Sequence, residues 1–282
     1  MSTRGKNHSE WDSISTLYHT VVGQLTIPIA AGLVDWVHET VPLNGPGANA
    51  MDNGCGTGIV CSLLKSNYPT LPVLATDFSS AMIDEVLRNA EESGWKHFQA
   101  RVLDSRNLDS VETESVTHLF TTFMICLAPD PDQIVSEMHR VLQQNGILGL
   151  AVWARPNFGF FEAAWIEACH ELDPTYEAPT LMDPEWIEPE NVRRGLAKAG
   201  FKSVEIKAEQ QSWDWENVNA VSTYFFDGHN PGNTKWHDSW TERGQSIDKV
   251  RPLFERKLEE AYGQSDGSLK GPVPFCLAIA RK

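Results

Sequence analysis

The chain has 282 residues, of which 41% are hydrophobic and 22% charged, enough for one large core or a core with an appendage. A net charge of −15 and the lack of any Lys/Arg-rich run argue against a nucleic-acid partner, and no run of about 18 apolar residues offers a membrane span. The five cysteines are scattered without a CxxC pair, and the polar start, Met1 to His8, lacks the apolar region of a signal peptide. Neither a disulfide framework nor a zinc site is expected, and a reducing cytoplasm is the expected setting.

Apolar residues recur at three- and four-residue steps from Trp11 through Tyr18, Leu25 and Leu33 to Val37, which predicts helix over 10–38. Pro28 is expected to break or kink it. After the linker at 42–47, short apolar runs alternate with helical stretches. Strands are expected at 48–52, 72–76, 98–103, 116–122 and 147–153, and helices at about 58–67, 79–93 and 131–144. That alternation implies a parallel sheet covered on both faces. An aromatic-rich helix follows at 158–172, then a helix at 189–200, a strand at 202–208 and a closing strand at 275–280. Residues 209–270 carry no pattern that places them. The expected organisation is one domain over 1–282: a helical cap over 1–44, a core over 45–155, and an insertion with closing strands over 156–282.

The first strand runs into Asp52-Asn53-Gly54-Cys55-Gly56-Thr57-Gly58. Gly54, Gly56 and Gly58 permit a sharp turn with a ligand against bare backbone. The spacing is G-x-G-x-G, with no later glycine where a dinucleotide fingerprint needs one and no Lys-Ser/Thr as a phosphate loop needs. The second expected strand is followed by Asp77, 25 residues after Asp52, where a carboxylate can accept from both hydroxyls of a ribose. Phe78 offers a ring face to a base, and Asp104, following the third strand, can accept from an exocyclic amine.

Together with His139 to Leu148 and Lys198-Ala199-Gly200-Phe201, these pieces resemble the class I S-adenosylmethionine-dependent methyltransferases of small-molecule type. Among them, the chain looks most like fungal enzymes that tailor secondary metabolites, including some that methylate thiols. The match covers about residues 48–208 and the closing strand. It implies an α/β fold with a Rossmann-like, seven-stranded sheet whose last strand is antiparallel, an N-terminal helical cap and an insertion after strand five. It implies S-adenosyl-L-methionine as cofactor and S-adenosyl-L-homocysteine as product. The implied cofactor residues are Asp52, Gly54, Cys55, Gly56, Gly58, Asp77, Phe78, Met82, Leu103, Asp104, Ser105, Thr122 and Phe123.

Methyl transfer asks mainly for alignment and exclusion of water; a base is needed only where the acceptor must lose a proton. His19, on the N-terminal segment, is the first candidate; His170, His229 and His237 follow, and His139 reads as structural. Trp11, Tyr18, Trp153, Phe158, Phe161 and Trp165 are the candidate walls of an acceptor pocket, with Phe123 and Phe160 beside them. They imply a small, apolar or aromatic metabolite carrying an O, S or N acceptor. No metal is expected. Two alternatives stay open: a protein that binds the cofactor without methyl transfer, and, less favoured by the glycine spacing, a nicotinamide oxidoreductase. Neither a membrane nor a nucleic-acid partner is expected, and monomer and homodimer stay open.

Overall fold

A computed structural model describes residues 23–155, 160–228 and 231–282. In chain order the main elements are α1 (Gly23–Thr40), β1 (Ala50–Asn53), α2 (Ile59–Asn67), β2 (Val73–Asp77), α3 (Ser80–Glu92), β3 (Phe98–Val102), β4 (Val116–Thr122), α4 (Pro131–Val141) and β5 (Leu142–Trp153). They continue with α5 (Phe160–Leu172), α6 (Pro189–Lys198), β6 (Lys202–Trp215), α7 (Val218–Ser222), α8 (Pro231–Thr241), α9 (Ile247–Tyr262) and β7 (Leu269–Arg281).

The seven strands form one sheet in the order β3-β2-β1-β4-β5-β7-β6. The first five are parallel, and β7 runs antiparallel to both β5 and β6. Every residue of β1 is buried, as befits a central strand covered on both faces. The strand order reverses between β1 and β4, which opens a crevice beyond their carboxyl ends. One wall of that crevice is α1, which lies directly on β5. A Cβ at Gly149 would stand 2.7 Å from Val37, so only glycine lets helix and strand come this close.

Three expectations change. The helix runs unbroken through Pro28, which sits in its second turn; the part of the expected cap before residue 23 lies outside the described residues. The expected helix to residue 144 ends at Val141, and β5 starts at Leu142, because Asn145 and Gly146 pair with Lys282 rather than extend the helix. The closing strands are longer than the pattern suggested: β6 reaches Trp215, and its register with β7 runs from Lys202↔Arg281 to Trp215↔Leu269. The unplaced region becomes α7, a π-helical turn at 223–227, α8 and α9. These helices sit between β6 and β7 in sequence, and α9 packs on α5, so two separate segments build one helical layer.

That layer is held by rings. Phe225 stacks on Phe254 at 4.4 Å between centroids, and Trp165 lies 5.5 Å from Phe225 and 6.3 Å from Trp240. The Trp165 indole N–H donates to the Tyr176 hydroxyl at 3.1 Å. Aromatic side chains that bury this much area dominate the energetics of a core.

Candidate active site

A cleft at the carboxyl end of the sheet is lined by Thr26 and Ala30 from α1, by Gly54, Cys55, Gly56, Thr57 and Ile59 from the glycine turn, and by Thr122 and Phe123 beyond β4. The turn is held from below: the Gly54 and Cys55 N–H groups both donate to the Thr76 carbonyl, at 2.8 and 2.9 Å. Gly56 and Gly58 have φ of 51° and 87°, the left-handed region that favours glycine. At Gly58 a Cβ would meet Val86 at 2.3 Å, whereas at Gly56 it would meet nothing within 4 Å and would project into open space.

Asp77 holds the turn. Its carboxylate accepts from the Gly56 N–H and the Ser79 N–H, both at 2.9 Å. Ser79 then caps α3 by accepting from the Met82 N–H, and the Met82 side chain is buried. Phe78 is half-buried beside it. Asp104 is exposed and gripped by Arg106, whose Nε lies 3.0 Å from both carboxylate oxygens. Arg106 also approaches Asp130 at 3.7 Å. Leu103 is half-buried, and Ser105 is buried with its hydroxyl donating to Asn53 at 2.9 Å. The same Asn53 oxygen accepts from Thr76 at 3.0 Å.

Three buried polar atoms near the switch point lack a protein partner: Oδ1 of Asp52, Nδ2 of Asn53 and Oγ1 of Thr121. Unpaired polar atoms in a native interior are uncommon and call for a reason. Here they sit on the final residues of β1 and β4, beneath a bare-backbone turn whose Gly56 leaves room for a ligand. This donor and acceptor set fits a cofactor with hydroxyl, amino and carboxylate groups.

Phe123 has a φ of 57°, rare for an aromatic residue. Its N–H donates to Ala151 at 2.7 Å, and its ring stacks on Trp153 at 4.0 Å, so β5 fixes the strained residue at the edge of the cleft. Trp153 thus stands directly behind the cleft wall. Phe161 and Trp165 are not brought there. Both are fully buried in the helical layer, Phe161 against Trp213 at 5.2 Å and Trp165 against Phe225, as core rings. Of the histidines, His170 contacts the Tyr176 carbonyl at 2.9 Å, His139 packs edge-on against Phe201, and His237 stacks on Phe226. None lines the cleft. Trp11, Tyr18, His19, Phe158 and His229 lie outside the described residues.

Sequence reasoning passed over Thr26, Ala30, Thr57 and Ile59, all cleft-lining, and Arg106. Thr26 and Ala30 are four apart on α1, on one face.

A seven-stranded sheet in this order, its last strand antiparallel and a glycine turn at its switch point, defines the class I methyltransferase fold. Residues 51–150 match the family profile described as "Methyltransferase domain". The chain is 28% identical to methyltransferase ucsB of an Acremonium species over 70% of both chains. It is 22% identical to the acetylaranotin bis-thiomethyltransferase of Aspergillus terreus over 92% of this chain and 90% of that one. Among solved structures, a methyltransferase-like protein from Bacillus halodurans matches with a TM-score of 0.57 at 17% identity, over 90% of this chain and 98% of that one. The [4+2]-cyclase SpnF matches at 0.53 and 17% identity, over 89% and 80%. Residues 51–150 thus match a methyltransferase domain, set in the class I methyltransferase fold, and the two relatives named are methyltransferases.

Proposed function

We propose that the protein transfers a methyl group from S-adenosylmethionine to an O, S or N atom of a small, apolar or aromatic metabolite. The observation that carries this reading is the cleft at the switch point, lined by a bare-backbone turn, with three unpartnered buried polar atoms near the ends of β1 and β4. The cofactor supplies an activated methyl on a sulfonium that is already a good leaving group. In this reading the chain binds, orients and excludes water, and in-line alignment of the acceptor supplies roughly 7–11 kcal/mol of the barrier reduction.

Asp77, at the end of β2, receives the ribose hydroxyls while keeping the Gly56 N–H in place. Phe78, Leu103 and Ser105 border the base. Asp104 reaches its exocyclic amine only as far as Arg106 shares the carboxylate. Thr122, Phe123 and the small pair Thr26 and Ala30 flank the methionine end. A thiol is the acceptor that asks least of the chain, because its ordinary pKa of about 8.5 supplies thiolate near neutrality. The likeness to a bis-thiomethyltransferase over nine-tenths of the chain favours testing it first. The five cysteines, all unpaired, suit a reducing cytoplasm.

Calorimetric titration with S-adenosylmethionine and, separately, NAD tests the reading, followed by a screen of thiols, phenols and amines for S-adenosylhomocysteine release. Binding of the first alone with release on one acceptor class is expected. Binding without release on any class would favour a cofactor-binding protein that does not transfer methyl, and no binding would overturn the reading.

A further inference from the structure

Asp52 ends its life in the chain as a carboxyl group with nothing to balance a charge. It is buried on β1, its Oδ1 has no partner, and its Oδ2 receives only the Cys61 thiol, at 3.2 Å. The titratable groups facing it are Cys61 from α2, Cys55 from the glycine turn and Asp77 from β2: two thiols and a second acid. Across β4 its register partner is Phe120, which is uncharged. Among the described residues Asp52 makes no salt bridge. A carboxylate taken out of water without a cation or a set of donors holds its proton instead. The turn that begins two residues later lines the cleft.

We propose that the site exchanges a proton for a cation: Asp52 is a carboxylic acid while the cleft is empty, and it ionises when the positively charged methionine end of S-adenosylmethionine settles against the glycine turn. The inference rests on the cofactor reading above. In the exchange the Asp52 O–H bond breaks, the proton passes to the buffer, and the carboxylate left behind faces a neighbouring positive charge. Burial lifts this carboxyl to about 7, the Cys61 bond opposes the rise, and Asp77 adds to it. The exchange therefore falls near neutral pH. Below pH 7 each unit weakens binding by up to about tenfold, and above it affinity is flat.

The test is calorimetry on the full chain with S-adenosylmethionine, at pH 6, 7 and 8, in two buffers of different ionisation enthalpy, which counts protons released. The expected count is close to one at pH 6, about half at pH 7 and little at pH 8. Any proton taken up by the ligand's own amine has the opposite sign and persists in Asp52→Asn, so the readout is the difference between the two proteins. Asp52→Asn loses the release and binds with a flat pH profile. Should that variant fail to fold, Cys61→Ala removes the thiol donor and increases the release at pH 7 and 8. Equal counts in wild type and Asp52→Asn, or an unchanged count in Cys61→Ala, would overturn the exchange while leaving the cofactor reading intact. Absence of binding at every pH would overturn the cofactor reading itself.

Discussion

Gly56 and Gly58 share a backbone conformation but not surroundings, and alanine at each separates stability from binding. At Gly58, the added methyl meets Val86 at 2.3 Å, far inside the roughly 3.5–4.0 Å of a comfortable carbon contact. Overpacking of about 1–3 kcal/mol adds to about 1–2 kcal/mol for a left-handed non-glycine residue, so Gly58→Ala costs roughly 2–5 kcal/mol. At Gly56 no atom lies within 4 Å, and only the conformational term remains, partly offset because alanine also restricts the unfolded chain by about 0.4–1 kcal/mol. Gly56→Ala therefore loses about 1 kcal/mol and folds, yet places a methyl in the cleft. Thermal melts and calorimetric titration with S-adenosylmethionine read the two effects. The expectation is a Gly56→Ala protein that melts within a few degrees of wild type and binds at least about 100-fold more weakly. Gly58→Ala melts much lower, and Val86→Ala added to it recovers part of the loss. Wild-type affinity in Gly56→Ala would refute the placement of the ligand against this turn. A wild-type melt for Gly58→Ala would refute the close approach of α3.

Asp77→Ala strands the N–H groups of Gly56 and Ser79, so it loses about 3–6 kcal/mol of stability, from two charge-assisted bonds of roughly 1.5–3 kcal/mol each. Its affinity for S-adenosylmethionine falls more than about 100-fold, and Asp77→Asn, which keeps one oxygen, recovers part of both; wild-type affinity in a folded alanine variant would contradict this. Trp165→Ala empties the centre of the helical layer and costs about 3–5 kcal/mol by chemical denaturation, with cofactor affinity unchanged in the folded fraction. Burial holds His237 neutral, lowering its pKa to about 4 from an unfolded value near 6.5. The unfolded chain then binds the extra proton between those values, so stability is full above about pH 6.5 and is lost as pH falls toward 4. Denaturation of His237→Phe at pH 7 and 5 checks this, because the variant lacks that share of the acid sensitivity.

The parallel core was legible because each of its elements announces itself locally. Short apolar runs marked β1, β2 and β4, and the helical stretch expected at 79–93 is α3 within a residue at each end. The glycine turn was legible for the same reason. The partners of the acids were not. Asp104 was read by its place after β3, and nothing in Asp104-Ser105-Arg106 tells whether the arginine folds back on it; that is decided by a side-chain rotamer. Phe161 was read as a pocket wall because its stretch follows β5, and Trp165 was read as one with it, but α9 and the 223–227 turn, more than fifty residues on, close over them. A ring's partner at that distance leaves no trace in local periodicity. The length of β6 was hidden similarly, since Gln210 to Trp215 alternate only weakly and extend because β7 offers them a partner.

Trp215 and Leu269 are register partners, so the fifty-three residues between them leave and re-enter the sheet at neighbouring points. A hairpin whose loop has grown into helices joins the sheet at one place and packs on it through the layer that α9 shares with α5. Its length and composition can change while the register of β6 on β7 stays as it is, because no strand of the sheet lies inside it. Descendants of such a chain can remodel the helical layer and inherit the sheet beneath it intact.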